Sequence, residues 1–169
     1  VIIITTKTGK KGFDSVSYNG YISSENMDRC LPVMSRSEYL EYGGTDYGSS
    51  TDWMDEITRT AFSHVHNLSI SGGTPKTSYM GSINYRDIEG IVPKTGYNQI
   101  GGRLNLTRKL LNDRLNIGLN LVLQNKNAEI GFDDVFRSAI VMPPTAPVYG
   151  EDEEYDIYGG YFQNRAHEL

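Results

Sequence analysis

One cysteine in 169 residues, Cys30, leaves no partner for an intramolecular disulfide and no set for a multi-cysteine zinc site. Proline is scarce at 6 residues, so the 18 glycines do not belong to a Pro/Gly linker. Basic residues are outnumbered 16 to 21 by acidic ones, and the net charge of -5 speaks against a nucleic-acid footprint. No apolar run approaches the roughly 18 residues of a transmembrane helix. Hydrophobic residues, at 38%, fall below the globular norm of about 45–50%. What is abundant is tyrosine: 12, against 5 Phe and 1 Trp. β-formers are too plentiful for disorder. The chain opens on Val1-Ile2-Ile3-Ile4 and stops at Ala166-His167-Glu168-Leu169, and it reads as an internal piece of a longer protein.

Period-2 patterning dominates what is present. In Arg114–Gln124 the odd positions are Leu115, Ile117, Leu119, Leu121 and Leu123, while the even ones are Asn116, Gly118, Asn120, Val122 and Gln124. A helix would scatter these aliphatics around its circumference; a strand puts them on one side. Gln99–Thr107 sets Ile100, Gly102, Leu104 and Leu106 against Gln99, Gly101, Arg103, Asn105 and Thr107. Ser78–Arg86 sets Tyr79, Gly81, Ile83 and Tyr85 against Ser78, Met80, Ser82, Asn84 and Arg86. Asn67–Ser71 and Ser15–Ile22 alternate in the same way, which predicts five strands. Val1–Thr6 differs, being a continuous β-branched run suited to a strand buried on both faces. A domain boundary follows it in Lys7–Gly12, dividing residues 1–10 from strands in 11–125 and a loop segment in 126–169.

The predicted connections run long, short, medium, short, long: Ser23 to His66, Gly72 to Lys76, Asp87 to Asn98, Arg108 to Asp113, and Asn125 to Leu169. Local helix is expected in the long ones. Ser35-Arg36-Ser37-Glu38 has the form of a capping box, with Gly43-Gly44 as its stop. Asp52 is placed to cap Trp53–Phe62, and Asp133 or Asp134 to cap a turn through Phe136–Val141 before Pro143-Pro144.

An aliphatic strand face must be covered by a second sheet or by lipid. The opposite face decides. It carries mostly Asn, Ser, Gln and Gly, with charge mainly at Arg86 and Arg103, rather than the Lys, Glu and Thr usual against bulk water, which suits a crowded hydrated lumen. Strands of about 9–11 residues cross a bilayer when tilted. Tyr79 and Tyr85 share one face six residues apart, roughly 20 Å, approaching the apolar band of about 25 Å between aromatic girdles. The residues assigned to lipid are therefore Tyr79, Ile83, Tyr85, Leu104, Leu106, Leu115, Ile117, Leu119, Leu121 and Leu123. Five strands cannot close a barrel, so missing strands must pair with the edges.

Residues of chemical interest have plain alternatives. His64 and His66 form an H-x-H pair, both rings on one side of a strand, with no third metal ligand evident. Glu151, Asp152, Glu153 and Glu154 offer oxygens for Ca²⁺, but a solvated acidic loop explains them and no EF-hand spacing is present. No cofactor, metal site or catalytic residue is expected. Asp52, Asp55 and Glu56 lack a pocket that would make them paired catalytic carboxylates. Tyr149, Tyr155, Tyr158, Tyr161 and Phe162 crowd the late loop and are the candidates for stacking on sugars or docking a partner. Trp53 is read as an anchor of the first long loop.

An ordered set of motifs resembles one family. Val1-Ile-Ile-Ile-Thr-Thr-Lys7 with Gly9, Ser17-Tyr18-Asn19-Gly20-Tyr21, Thr51-Asp52-Trp53-Met54-Asp55-Glu56-Ile57, His66-Asn67-Leu68-Ser69-Ile70-Ser71-Gly72-Gly73-Thr74, Asn84-Tyr85-Arg86-Asp87, Gly102-Arg103-Leu104-Asn105-Leu106-Thr107 and Pro144-Thr145-Ala146-Pro147-Val148-Tyr149 follow in order. Together they resemble the SusC/RagA family of TonB-linked outer-membrane transporters of Bacteroidetes. The resemblance implies an all-β, antiparallel transmembrane barrel segment: the last plug strand and first five strands of a plugged barrel of about 22. It implies import of oligosaccharides or peptides, a SusD-like surface lipoprotein as partner, and TonB contact through a part of the protein outside this sequence. It also places Gly72–Lys76 and Arg108–Asp113 in the periplasm, and the long connections outside the cell. The rivals are a soluble β-sandwich binding module and a passive structural porin.

Overall fold

A computed structural model describes residues 14–29, 31–131 and 134–149. The Val1–Lys7 run, Cys30, Asp133, the acidic group Glu151–Glu154, Tyr155, Tyr158, Tyr161 and Phe162 lie outside the described residues. The elements are β1 (Ser15–Glu25), α1 (Arg36–Glu41), α2 (Trp53–Glu56), β2 (Ala61–Gly73), β3 (Thr77–Glu89), β4 (Gly96–Leu110), β5 (Leu115–Glu129) and α3 (Val135–Val141). The strands form one antiparallel sheet in the order β1-β2-β3-β4-β5, each beside its sequence neighbour. All five exceed the sequence-based limits, running to 11, 13, 13, 15 and 15 residues.

The largest extension is in β2. It begins at Ala61, not at Asn67, so His64 and His66 lie within the strand and the preceding connection is shorter than expected. The helix expected over Trp53–Phe62 accordingly ends at Glu56. Ile57, Thr58 and Thr60 are β-branched, a poor continuation of a helix. The Thr58 hydroxyl donates to the Met54 carbonyl at 2.7 Å, closing the last turn. The Arg59 N–H then donates to Ile91 O at 2.7 Å, and the Phe62 N–H to the Glu89 carboxylate at 3.0 Å. These two bonds commit the chain to extension.

Two spatial units emerge. Among the described residues, the first gathers 14–23 with Ser63–Ile88 and Tyr97–Ala128, and is the sheet. Its β2–β3 register runs from His64↔Asp87 through Leu68↔Ile83 and Ile70↔Gly81 to Gly73↔Ser78. The hairpin at its short end is closed by Thr74 and Thr77, whose backbones bond each other at 2.7 and 3.3 Å. The β4–β5 turn carries positive φ at Leu111, Asn112 and Asp113, the region where Asn and Asp are tolerated. The connection between β3 and β4 is only Gly90–Thr95, shorter than expected.

Among the described residues, the second unit gathers Ser24–Phe62, Glu89–Gly96, 129–131 and 134–149. It has its own small core: Trp53, Met54 and Ile57 pack with Val135, Ala139, Met142 and Ala146. Asp52 caps α2 as expected, its carboxylate accepting from the Met54 and Asp55 N–H groups. Asp134 precedes α3 but gives it no side-chain cap. The buried Trp53 indole N–H donates to Pro143 O at 2.9 Å. Around it, the Ser49 N–H meets Thr145 O, the Thr51 N–H meets Pro144 O, and the Thr145 hydroxyl meets Thr45 O. Trp53 thus ties the 45–54 segment to the 143–146 segment, some ninety residues later in the chain.

Trp53→Ala removes a buried indole and leaves a cavity, a loss of about 3–5 kcal/mol in comparable cores. The expected outcome is faster proteolytic cleavage within 26–60 and 134–149 while the sheet stays protected. Uniform cleavage rates in the variant and the parent would contradict this role.

Candidate functional site

The sheet has two chemically distinct faces because alternate residues point to opposite sides. On one face β2 presents Leu68 and Ile70, β3 presents Ile83, β4 presents Leu104 and β5 presents Leu121 and Leu123. These side chains border one continuous apolar groove of about 290 Å³. Nothing among the described residues covers it: Leu119 is 48% exposed, Ile83 58% and Leu123 65%. Leu106, Leu115 and Ile117 are exposed as well. Tyr79 and Tyr85 bracket this face on β3, as the spacing predicts. Tyr79 sits opposite Gly72 at the short-turn end, and Tyr85 sits opposite His66 toward the other end.

The opposite face is mostly polar, with Val65, Met80 and Val122 among its small and amide residues. Lys126 lies 4.1 Å above the Tyr97 ring, a cation–π contact. Gly101 makes room for Asn84: a Cβ there would come within 2.5 Å of the Asn84 Oδ1. Small and amide side chains can therefore crowd one another on this face.

The H-x-H pair is placed as its spacing requires, both rings on the apolar face of β2. His64 and His66 have ring centroids 5.2 Å apart. Tyr18 stacks on His66 at 6.1 Å, its hydroxyl 2.7 Å from His66 Nδ1. His64 sits 5.7 Å from the Tyr85 ring and 3.7 Å from the Asp87 carboxylate, to which Tyr85 also donates at 3.4 Å. Among the described residues no group of three or more potential ligands could hold a metal ion. The sequence contained the signal for this cluster, two histidines with one residue between them. It did not say that Tyr18 and Tyr85 would flank them from two neighbouring strands.

In the second unit a cavity of about 650 Å³ is bordered by Val33, Met34, Tyr39, Trp53 and Ile140. Sequence reasoning missed it, because its walls come from segments about a hundred residues apart. Its rim is held by α1. Ser35 and Glu38 form the full capping box: the Ser35 N–H donates to the Glu38 carboxylate at 2.8 Å, and the Glu38 N–H returns to Ser35 Oγ at 3.4 Å. Arg36 grips both oxygens of Asp46 at 3.0 and 2.9 Å, and the Gly48 N–H adds a third bond at 2.9 Å. The Ser35 backbone, then its hydroxyl, holds the Glu38 carboxyl below the usual glutamate range. The Gly48 N–H, then Arg36, does the same for Asp46. A smaller depression of about 430 Å³ runs between Asp52, Asp55, Glu56 and the exposed Tyr149. Tyr149 is the one late-loop aromatic among the described candidates.

No family model matches the chain. It is 37% identical to the TonB-dependent receptor SusC of Bacteroides thetaiotaomicron over 97% of its own length and 17% of that protein's. It is 28% identical to the TonB-dependent receptor P26 of Formosa agariphila over 92% of its length, again 17% of the relative. The chain thus spans about a sixth of the curated relatives it matches. Among solved structures it superposes on one described as the RagAB peptide transporter, with TM-score 0.74 and 19% identity. That match covers 94% of this chain and 24% of the other. The RagAB peptide importer in its open-open state gives TM-score 0.71 and 20% identity, over 94% and 23%.

Both depressed carboxyls stabilise α1 and its clasp in the charged form. Their contribution is complete above the ordinary carboxyl range and is lost as pH falls through the lowered native values. Hydrogen exchange of residues 35–48, corrected for its intrinsic pH dependence, should hold from about pH 7 to 5 and weaken toward about pH 3. Protection that stays level across that range would contradict this assignment.

Proposed function

This chain belongs to the SusC/RagA family of TonB-dependent receptors of the bacterial outer membrane, and on that premise we propose that it forms a wall segment and outer loops of an energised importer. The family relation makes it a part of a transporter rather than of an enzyme. In the proposed function the five strands cross the outer membrane side by side. Other strands of the same protein pair with the edges at β1 and β5. Lipid wets Tyr79, Ile83, Tyr85, Leu104, Leu106, Leu115, Ile117, Leu119, Leu121 and Leu123. The polar face lines a hydrated lumen that holds a plug.

The observation carrying this reading is the uncovered aliphatic row shared by β2–β5. A soluble sandwich would bury that row under a second sheet. In water, a contiguous exposed apolar surface of this kind promotes association. Lipid removes the penalty without further protein. The short turns at 74–76 and 111–114 face the periplasm, and the long segments face outward, as transmembrane barrels arrange them.

The cargo is an oligosaccharide or peptide, and a SusD-like lipoprotein closes over the loops. Tyr149, beside Asp52 and Asp55, is the described group best placed to present a ring with a hydroxyl to such a ligand. In the sequence Tyr149 is followed by Tyr155, Tyr158, Tyr161 and Phe162, which lie outside the described residues. TonB supplies energy through another part of the protein, which separates this reading from a passive porin. The kinship with receptors named as TonB-dependent supports that choice.

The test uses the full-length protein in bilayers and reads the tryptophan emission that Leu119→Trp adds to that of the parent. Brominated lipid should quench the new tryptophan strongly. Emission unaffected by bromine would reject the membrane placement. In cells, deletion of the plug should abolish TonB-dependent uptake, and unchanged uptake would favour the passive pore.

A further inference from the structure

The apolar face is not a uniform wall. Gly81 and Gly102 interrupt it, and the groove of about 290 Å³ runs where their side chains would be. A Cβ on Gly102 would meet nothing nearer than Ser82 O at 4.0 Å. One on Gly81 would touch only Ile70, at 3.4 Å. Neither glycine has positive φ, so backbone geometry does not demand glycine at either place. The depression is therefore a feature of the surface rather than a by-product of a turn. Its volume is near the lower bound of about 300 Å³ for ligand sites, and its walls are aliphatic.

One end of the groove is marked. Leu68 and Ile83 lie at its edge and pair across the strands. One step further along the same strands, His66 pairs with Tyr85, and His64 with Asp87. A same-face step of two residues is roughly 6.6 Å. A shelf of four rings, Tyr18, His66, His64 and Tyr85, thus begins about 7 Å beyond the groove, with the Asp87 carboxylate beside it. The Tyr18–His66 bond leaves a donor in either arrangement. If the hydroxyl donates to Nδ1, the imidazole proton resides on Nε2. If Nδ1–H donates, the hydroxyl proton is free. Flat rings, a spare N–H or O–H donor and a carboxylate acceptor together suit a sugar, whose faces stack and whose hydroxyls both give and take hydrogen bonds. The carboxylate accepts from hydroxyls of such a sugar and not from its phosphates.

We propose that this surface seats an acylated saccharide lipid of the outer leaflet: one acyl chain in the groove over Gly81 and Gly102, its sugar on the Tyr18–His66–His64–Tyr85 shelf. The inference rests on the membrane placement proposed above. It adds a specific lipid to a wall that otherwise meets hydrocarbon without preference. The orientation agrees with the chemistry, because the shelf lies at the end away from the short periplasmic turns. There the bilayer presents lipid A rather than phospholipid.

The test is native mass spectrometry of the full-length transporter in detergent, titrated with monophosphoryl lipid A or with dipalmitoyl phosphatidylethanolamine. Lipid A should bind with roughly tenfold preference. Gly102→Leu fills the groove without a backbone clash and should lower lipid A binding about tenfold. Gly118→Leu, on the opposite face with open space around it, should leave binding unchanged. The double variant Tyr18→Phe with His66→Phe keeps both rings on the shelf but removes the hydroxyl and the imidazole N–H, and should reduce binding of lipid A without affecting phosphatidylethanolamine. Equal binding of the two lipids, or full lipid A binding by Gly102→Leu, would overturn the proposal. Quenching at Leu119→Trp separates the two levels of inference. If bromine quenches there while Gly102→Leu binds lipid A normally, only the lipid site fails. If quenching is absent, the membrane placement fails with it.

Discussion

A β-strand cannot hide one side chain without exposing the next. That alternation governs the sheet, because every strand must satisfy two environments at once. Here the environments differ sharply: over residues 115–124 of β5 five aliphatics line one side, and amides and glycine, with Val122, line the other. A one-residue slip in any pairing would exchange the two sets. The β2–β3 register avoids this by matching Leu68 with Ile83 and His66 with Tyr85, apolar against apolar and ring against ring. Tight turns then preserve the phase. Thr74 and Thr77 close one hairpin, and the left-handed residues 111–113 close another.

The same constraint explains why the loops need a core of their own. A sheet that offers its apolar face to lipid and its polar face to water has no interior on which long connections can pack. Connections of this length are uncommon without internal structure. The second unit supplies it locally. Two short helices, α2 and α3, bring Trp53, Ile57, Val135 and Ala139 together, and the indole N–H is satisfied by a carbonyl at Pro143. A helix of four residues has almost no stability alone, since nucleation is costly. Its cap at Asp52 and its buried tryptophan make it persist. The capping box of α1 and the Arg36–Asp46 clasp serve the same end at the rim of the larger cavity.

Legibility in the sequence followed the physics of each feature. The aliphatic row on β5 was plain, because five odd positions in succession carry Leu or Ile. The caps at Ser35 and Asp52 were plain, because capping is set by a few adjacent residues. The start of β2 was hidden. Its first turnings carry Phe62, His64 and His66 on one side and Ser63 and Val65 on the other, so neither face reads as cleanly apolar. The force that extends this stretch comes from Ile91 and Glu89, about thirty residues away. The cavity beside Trp53 was hidden for the same reason. Its walls meet only after the 45–54 and 143–146 segments have bonded, and that pairing has no local signature. Most strand ends were underestimated, though not the start of β1 at Ser15 or of β5 at Leu115, because polar and aromatic residues at a strand's rim resemble loop.

Glycine on the aliphatic face deserves a physical reason, since it forfeits packing and costs conformational entropy. On the polar face, Gly101 has one: Asn84 fills the space a side chain would need. Gly81 and Gly102 have none within the sheet: a Cβ would meet only Ile70, at 3.4 Å, at the first and Ser82 O, at 4.0 Å, at the second. A larger aliphatic residue at either place would add β-propensity and contact with Ile70 or Leu104. The stability given up there is recovered only if something outside the protein fills the hollow. In lipid, unstructured chains would fill it in part, at the entropic cost of straightening. A molecule whose sugar is already held on the adjacent rings would bring its chain to the hollow as an intramolecular event, and part of that ordering cost would be met by the sugar contacts. The two features therefore reinforce each other: the shelf makes the groove worth occupying, and the groove gives the shelf a ligand of defined reach.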